Sequence, residues 1–193
     1  SYNYSNIDEC KSLGTLDLIC GLQNPEDFAK IPEEESLIIS QFPGLPELNN
    51  GITLSGKLSK LSLLSNKVTD YEISYLENND LGIGEEDCLP SKGPIYPHGI
   101  DIYEEFSADG NALSPFIRES SLLAVVNHLE ISRIEFFLVF PEYVEFSDIS
   151  KPTLFWIGCV KAPEKNTYFN DVVIANCLLY TSDAADEPVC VDL

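Results

Sequence analysis

Apolar residues in this chain gather in short runs, and the residues that interrupt the runs indicate the fold class. Runs rich in Ile, Leu and Phe occupy 27–31, 36–42, 57–64 and 71–76. Between them stand Pro32-Glu33-Glu34-Glu35, Pro43-Gly44-Leu45-Pro46, Asn49-Asn50-Gly51 and Ser65-Asn66, and after them comes Asn78-Asn79-Asp80-Leu81-Gly82. Proline fixes φ at such places and lacks a ladder donor, whereas glycine and asparagine accept the positive φ of tight turns. Runs of this length with this punctuation predict antiparallel strands. The set returns at 99–103, 121–127, 133–140 and 153–160, with a new start at 171–175. No apolar stripe at helical spacing persists, so the expected class is all-β.

The two sets are offset by a fixed distance. Pro25-Glu26-Asp27-Phe28, Pro97-His98-Gly99-Ile100 and Phe169-Asn170-Asp171-Val172 precede the first run of successive units, and 98 − 26 = 72, as does 170 − 98. Four strands per unit at a constant period are the mark of β-propeller blades. The predicted organisation is an N-terminal segment over 1–24, one blade over 25–80, a second over 97–162 and the start of a third at 169–176. The surplus length lies in polar loops at 77–96 and 104–120. In a propeller the innermost strands all run the same way along the central channel, so the residues before them ring one mouth. Glu26, Asp27, His98, Asn170 and Asp171 are therefore expected to converge. Carboxylates and an amide are oxygen donors of the kind calcium takes, and a histidine among them can carry a proton near neutral pH.

Composition narrows the class of partner. The formal charge of −21 in 193 residues rules against nucleic acid, because the chain cannot neutralise phosphates. Acidic loops at 33–35 and 85–87 read as solvated turns. No run of ~18 apolar residues is present to span a membrane. Six cysteines show no CxxC pair and no zinc-ligand spacing, and Cys159, within Leu154-Phe155-Trp156-Ile157-Gly158-Cys159-Val160, reads as a small buried hydrophobe. Phe155 and Trp156 read as core between blades. Only two histidines occur, His98 and His128, each at the end of a β-type run, where a rigid sheet can present side chains to a site.

With Leu122-Leu123-Ala124-Val125-Val126-Asn127-His128 and Ile134-Glu135-Phe136 added to the three repeat tetrapeptides, the chain resembles the paraoxonase/arylesterase family of six-bladed β-propeller lactonases. The likeness runs over about 10–175, roughly the first half of a family member, and implies a partial propeller of two four-stranded blades plus the first strand of a third. It further implies two calcium ions in the channel. Glu26 and Asn170 match ligands of the catalytic ion, while Asp27, Asp171 and the carbonyl of Ile100 match ligands of a deeper structural ion. His98 and His128 match a pair that activates water, and the substrate would be a lactone or aryl ester. A secreted or membrane-associated setting is implied by the resemblance alone. The same reading expects activity in an intact parent and none in a fragment with unclosed blades. Three departures from the family are expected to matter: Leu129 stands where it usually has proline after the second histidine; the family partner of Cys10, near the far C-terminus, is absent here, so Cys10 is expected to be free or mispaired; and the remaining ligands of the catalytic ion belong to later blades than this sequence reaches. Other readings of the same residues are a gluconolactonase-like or strictosidine-synthase-like propeller hydrolase, and a non-catalytic propeller scaffold stabilised by calcium.

The stretch 177–193 reads Cys-Leu-Leu-Tyr-Thr-Ser-Asp-Ala-Ala-Asp-Glu-Pro-Val-Cys-Val-Asp-Leu and resembles the translation of a transposase-type sequencing adapter. On that reading it is not native, and no selected structure is expected of it.

Overall fold

The computed structural model describes residues 14–15, 18–44, 54–75, 83–104, 120–141, 151–165 and 167–175, together with the backbone of 178–183 and 188–192. Cys10, most of the N-terminal segment and the loop 105–119 lie outside the described residues. Among the described residues there is no helix. β1 (Pro25–Lys30), β2 (Ser36–Gln41), β3 (Lys57–Ser62) and β4 (Val68–Asp70) form an antiparallel sheet in chain order. β5 (Glu72–Tyr75), β6 (Pro97–Tyr103), β7 (Ser121–Asn127), β8 (Arg133–Val139) and β9 (Thr153–Lys161) form a second sheet in the order β5-β9-β8-β7-β6. β10 (Phe169–Ala175), β11 (Leu178–Asp183) and β12 (Pro188–Asp192) form a third.

The middle sheet is apolar on both faces, which explains why β7 reads as an unbroken buried run rather than an alternation. One face, with Ile100, Leu123, Val125, Phe137, Leu154 and Trp156, packs against Ala29, Ile31, Ile38 and Leu58 of the first sheet. The other, with Leu122, Ala124, Val126, Ile134, Phe136 and Ile157, packs against Phe169, Val172 and Ile174 of β10. A one-residue slip of β7 would exchange the two sets. Trp156 is buried as the sequence suggests, and Phe155 meets Phe140 edge to face at 5.4 Å.

The 72-residue interval survives in three dimensions. β1, β6 and β10 begin at Pro25, Pro97 and Phe169, and 97 − 25 = 72, as does 169 − 97. Each of the three carries one extra residue relative to its partner strand, at the same place: between Pro25 and Asp27, between Pro97 and Ile100, and between Phe169 and Asp171. Such a bulge bends the strand and re-aims its side chains.

Three expectations need revision. The run at 71–76 is not the fourth strand of the first sheet. Val68–Asp70 takes that place, held because Lys57 Nζ and Ser59 Oγ both donate to Asp70 at 2.7 and 2.8 Å. Glu72–Tyr75 crosses instead to the outer edge of the middle sheet, parallel to β9. Cys159 is buried, as expected, but bonded to Cys88 across a separation of 71 residues. Glu34 is not a solvated acid: its side chain and that of Lys60 pair at 2.5 Å, each 11% exposed. The adapter-like stretch, for its part, supplies β11 and β12, with β11 paired to β10 and β12 to β11. Its Leu, Tyr, Thr and Val content favours extended backbone whatever its origin.

Candidate functional site

Because the bulges recur at equivalent positions, the residues they project come to one end of the adjoining first strands. His98, in the bulge of β6, lies between the other two units. Its Nε2 is 3.5 Å from Glu26 Oε2 in the β1 bulge, and its Nδ1 is 3.2 Å from the backbone carbonyl of Asn170 in the β10 bulge. A carbonyl only accepts, so Nδ1 carries the proton and Nε2 is the ring atom that faces the Glu26 carboxylate. Glu26, His98 and Asn170 thus meet, although the contact from Asn170 comes through its main chain.

His128 reaches the same place by strand pairing. It follows Asn127, whose Cα partner is Pro97, and its ring stacks on that of His98 with centroids 4.7 Å apart and planes 15° from parallel. Nε2 of His128 donates to the carbonyl of Phe169 at 2.5 Å. Phe42 closes over both rings edge-on, at 5.6 Å from His98 and 6.1 Å from His128, and Tyr168 meets His128 at 5.9 Å. The sequence did not single out Phe42 or Tyr168. Phe42 follows Gln41, the partner of Pro25, so only the β1–β2 register could have placed it beside Glu26.

Beneath this pair lies a set of carboxylates that bond the strands to one another. Asp27 Oδ2 accepts the amide of Ile100 at 2.8 Å, and Asp101 Oδ2 accepts that of Ile174 at 2.7 Å. Each aspartate therefore reaches 73 residues ahead to the first strand of the next unit. Asp101 is a second member of this set that the sequence reading missed. Ser40 adds a further link, its Oγ accepting the amide of Asp27 at 3.1 Å and donating to the carbonyl of His98 at 2.6 Å. Asp171 packs against Gly99, and its Oδ1 accepts the amide of Val172 at 2.8 Å. The structure so brings Asp27 to Ile100 and Asp171 to Gly99, adjoining positions on β6.

The donor chemistry suits a hard cation: three carboxylates, the Asn170 side chain and the Ile100 carbonyl are all oxygen donors. Asp27 already accepts two amide hydrogens, from Phe28 and Ile100, and each of its oxygens keeps a second lone pair. Among the described residues, no group of three or more His, Cys, Asp or Glu side chains is gathered as a ready metal site. The cluster would hold an ion only with main-chain and amide oxygens included.

Burial pushes the pKa of His128 below its usual 6.5, with the nearby His98 acting the same way and the Phe169 carbonyl opposing. The fold thus holds His128 neutral. Above the unfolded value both states are neutral and stability is flat. Below about 6.5 the unfolded chain takes up a proton that the fold resists, so stability falls as pH drops toward the folded value. The thermal midpoint of the wild type should therefore fall more between pH 7.5 and pH 5.5 than that of His128→Gln, and equal falls would show that His128 carries none of this dependence.

No protein-family model matches the chain, and no curated protein matches it either.

Proposed function

We propose that the chain is the first two blades and the opening strand of a third in a calcium-dependent β-propeller hydrolase of lactones and aryl esters. The single observation that carries the reading is the meeting of Glu26, His98 and Asn170, three residues 72 positions apart, at one end of three bulged strands. Two sheets packed face to face, with the middle one buried on both sides, are the arrangement successive blades adopt. Glu26 and Asn170 would hold the ion nearer the histidines, and Asp27, Asp171 and the Ile100 carbonyl the deeper one. When bound, calcium supplies Lewis-acid polarisation of the substrate carbonyl.

The chain's own residues define the rest. His98 keeps Nδ1 engaged on the Asn170 carbonyl, so Nε2 is the atom that takes a proton from water. Glu26 Oε2, 3.5 Å from that atom, faces the nitrogen that takes the proton. His128, neutral and stacked on His98, fixes the plane of its ring, with Phe42 packed edge-on against both rings and Tyr168 against His128.

The reading is tested in the intact parent protein with phenyl acetate and a δ-lactone as substrates. Chelation, His98→Gln and Glu26→Gln should each lower turnover by about 100-fold or more, the range for loss of a positioned proton carrier. Unchanged turnover in either variant would remove the assigned roles. Calcium binding without hydrolysis of any ester or lactone would favour a scaffold stabilised by the ion.

A further inference from the structure

Within the middle sheet sits a buried carboxylate for which the proposed chemistry has no use. Glu135 is 4% exposed in the middle of β8. Ionised, it can only accept, and donors meet both of its oxygens. Oε1 accepts Asn127 Nδ2 at 2.9 Å and lies 2.6 Å from Arg133 Nη2; Oε2 accepts Trp156 Nε1 at 2.6 Å. Arg133 contributes charge here rather than an aligned hydrogen bond, since its Nη2 and Nε are buried without hydrogen-bond partners while Nη1 donates to the Leu89 carbonyl at 2.9 Å.

The consequence falls on Asn127. With Nδ2 turned to Glu135, its Oδ1 faces the opposite way and accepts the amide of Tyr96 at 2.9 Å. The carbonyl of Tyr96 in turn accepts the amide of His128 at 3.0 Å. Tyr96 stands two residues before His98, and Asn127 stands one before His128. Pro97 lies between Tyr96 and His98 and offers no N–H, so the end of the β6–β7 ladder depends on these two bonds at Tyr96.

We infer that Asn127, oriented by the buried carboxylate of Glu135, is a clamp that sets the separation and alignment of the two histidine rings, an inference that rests on reading His98 and His128 as the working pair. Glu135 and Asn127 are positioning residues. A glutamine at 135 can still hold Asn127, with its oxygen toward Asn127 and Arg133 and its amide toward Trp156, giving up only the Trp156 bond. A side chain with no acceptor at 135 leaves Nδ2 of Asn127 unheld, and the bond from the Tyr96 amide to its Oδ1 is no longer fixed.

The test uses the two imidazole signals, which only two histidines make simple to assign, in ¹⁵N-histidine-labelled protein at pH 8. Glu135→Gln should leave both signals in place, whereas Glu135→Leu, which removes the acceptor, should displace them and abolish the ring-to-ring nuclear Overhauser contacts. Asn127→Ala, which removes the clamp but leaves Glu135 its other donors, should do the same. Trp156→Phe removes a Glu135 partner without touching the clamp, so it should lower the melting temperature yet leave both signals in place. Unmoved rings in Asn127→Ala would overturn the inference, and so would equal displacement by Trp156→Phe, which would mean that general loosening is enough. In the parent enzyme, Asn127→Ala should lower kcat on the order of 100-fold with little change in KM, the scale of a misplacement near 1 Å. Displaced rings with unchanged kcat would leave the clamp standing and count against the hydrolase reading.

Discussion

Replacing Gly99 with alanine is expected to be among the most damaging small changes at the described residues. A Cβ there would lie 2.5 Å from the Cα of Asp171, 2.4 Å from its Oδ1 and 2.9 Å from the carbonyl of Asn170. Two of those atoms belong to backbone, so no rotamer change relieves the clash. β6 and β10 would have to separate, opening the apolar layer that Val172 and Ile174 share with the middle sheet. Overpacking of this kind costs about 1–3 kcal/mol and more when backbone must move. The same displacement would take His98 Nδ1 away from the Asn170 carbonyl. Urea unfolding should show a lower midpoint for Gly99→Ala, and the His98 imidazole signal should shift in the same sample. An unchanged midpoint would mean that β6 and β10 do not approach this closely.

The second large effect is expected from the Cys88–Cys159 bond. It joins the segment before β6 to β9, and Gly84, with φ +83, lies against the Cys159 backbone close enough that a Cβ would meet its carbonyl at 2.3 Å. Lys161 secures the same segment, with Nζ 2.6 Å from Asp87 and 3.8 Å from Glu85. Closing a loop of 71 residues removes about 4 kcal/mol of unfolded-chain entropy in the chain-entropy account. Cys88→Ser/Cys159→Ser should therefore unfold at clearly lower denaturant, and dithiothreitol should produce a fall at least as large in the wild type, since it also reduces the bond at Cys20. A wild type indifferent to the reductant would contradict the bond.

How much of this was legible in the sequence follows from which interactions are local. The strand starts were readable because Pro25, Pro97 and Phe169 repeat at one interval and each is followed by polar residues that a bulge can project. The all-β class was readable from the turn residues. The fate of 71–76 was not, since the same residues satisfy either sheet and the choice rests on Lys57 and Ser59 holding Asp70. Nor was the Cys88–Cys159 pairing, because six cysteines allow many connectivities. At the site, the repeat pointed to Glu26, His98 and Asn170. The second inter-unit aspartate, Asp101, and the rings of Phe42 and Tyr168 depend on strand register, which no single run specifies. The buried Glu135 sat inside an apolar stretch, and only the fold shows what its carboxylate holds.

The central claim is that the interval of 72 residues builds one localised centre for two calcium ions, against the alternative that a chain of net charge −21 holds calcium diffusely over its surface. The most direct measurement is a calcium titration of the uniformly ¹⁵N-labelled protein at physiological ionic strength, followed residue by residue. The account predicts saturable shifts confined to the amides of Asp27, Ile100, Asn170 and Asp171 and to the two imidazoles, with Glu26→Gln and Asp27→Asn weakening them. Shifts that grow without saturation and spread over acids remote from the site, such as Glu33, Glu35 and Glu86, would contradict it.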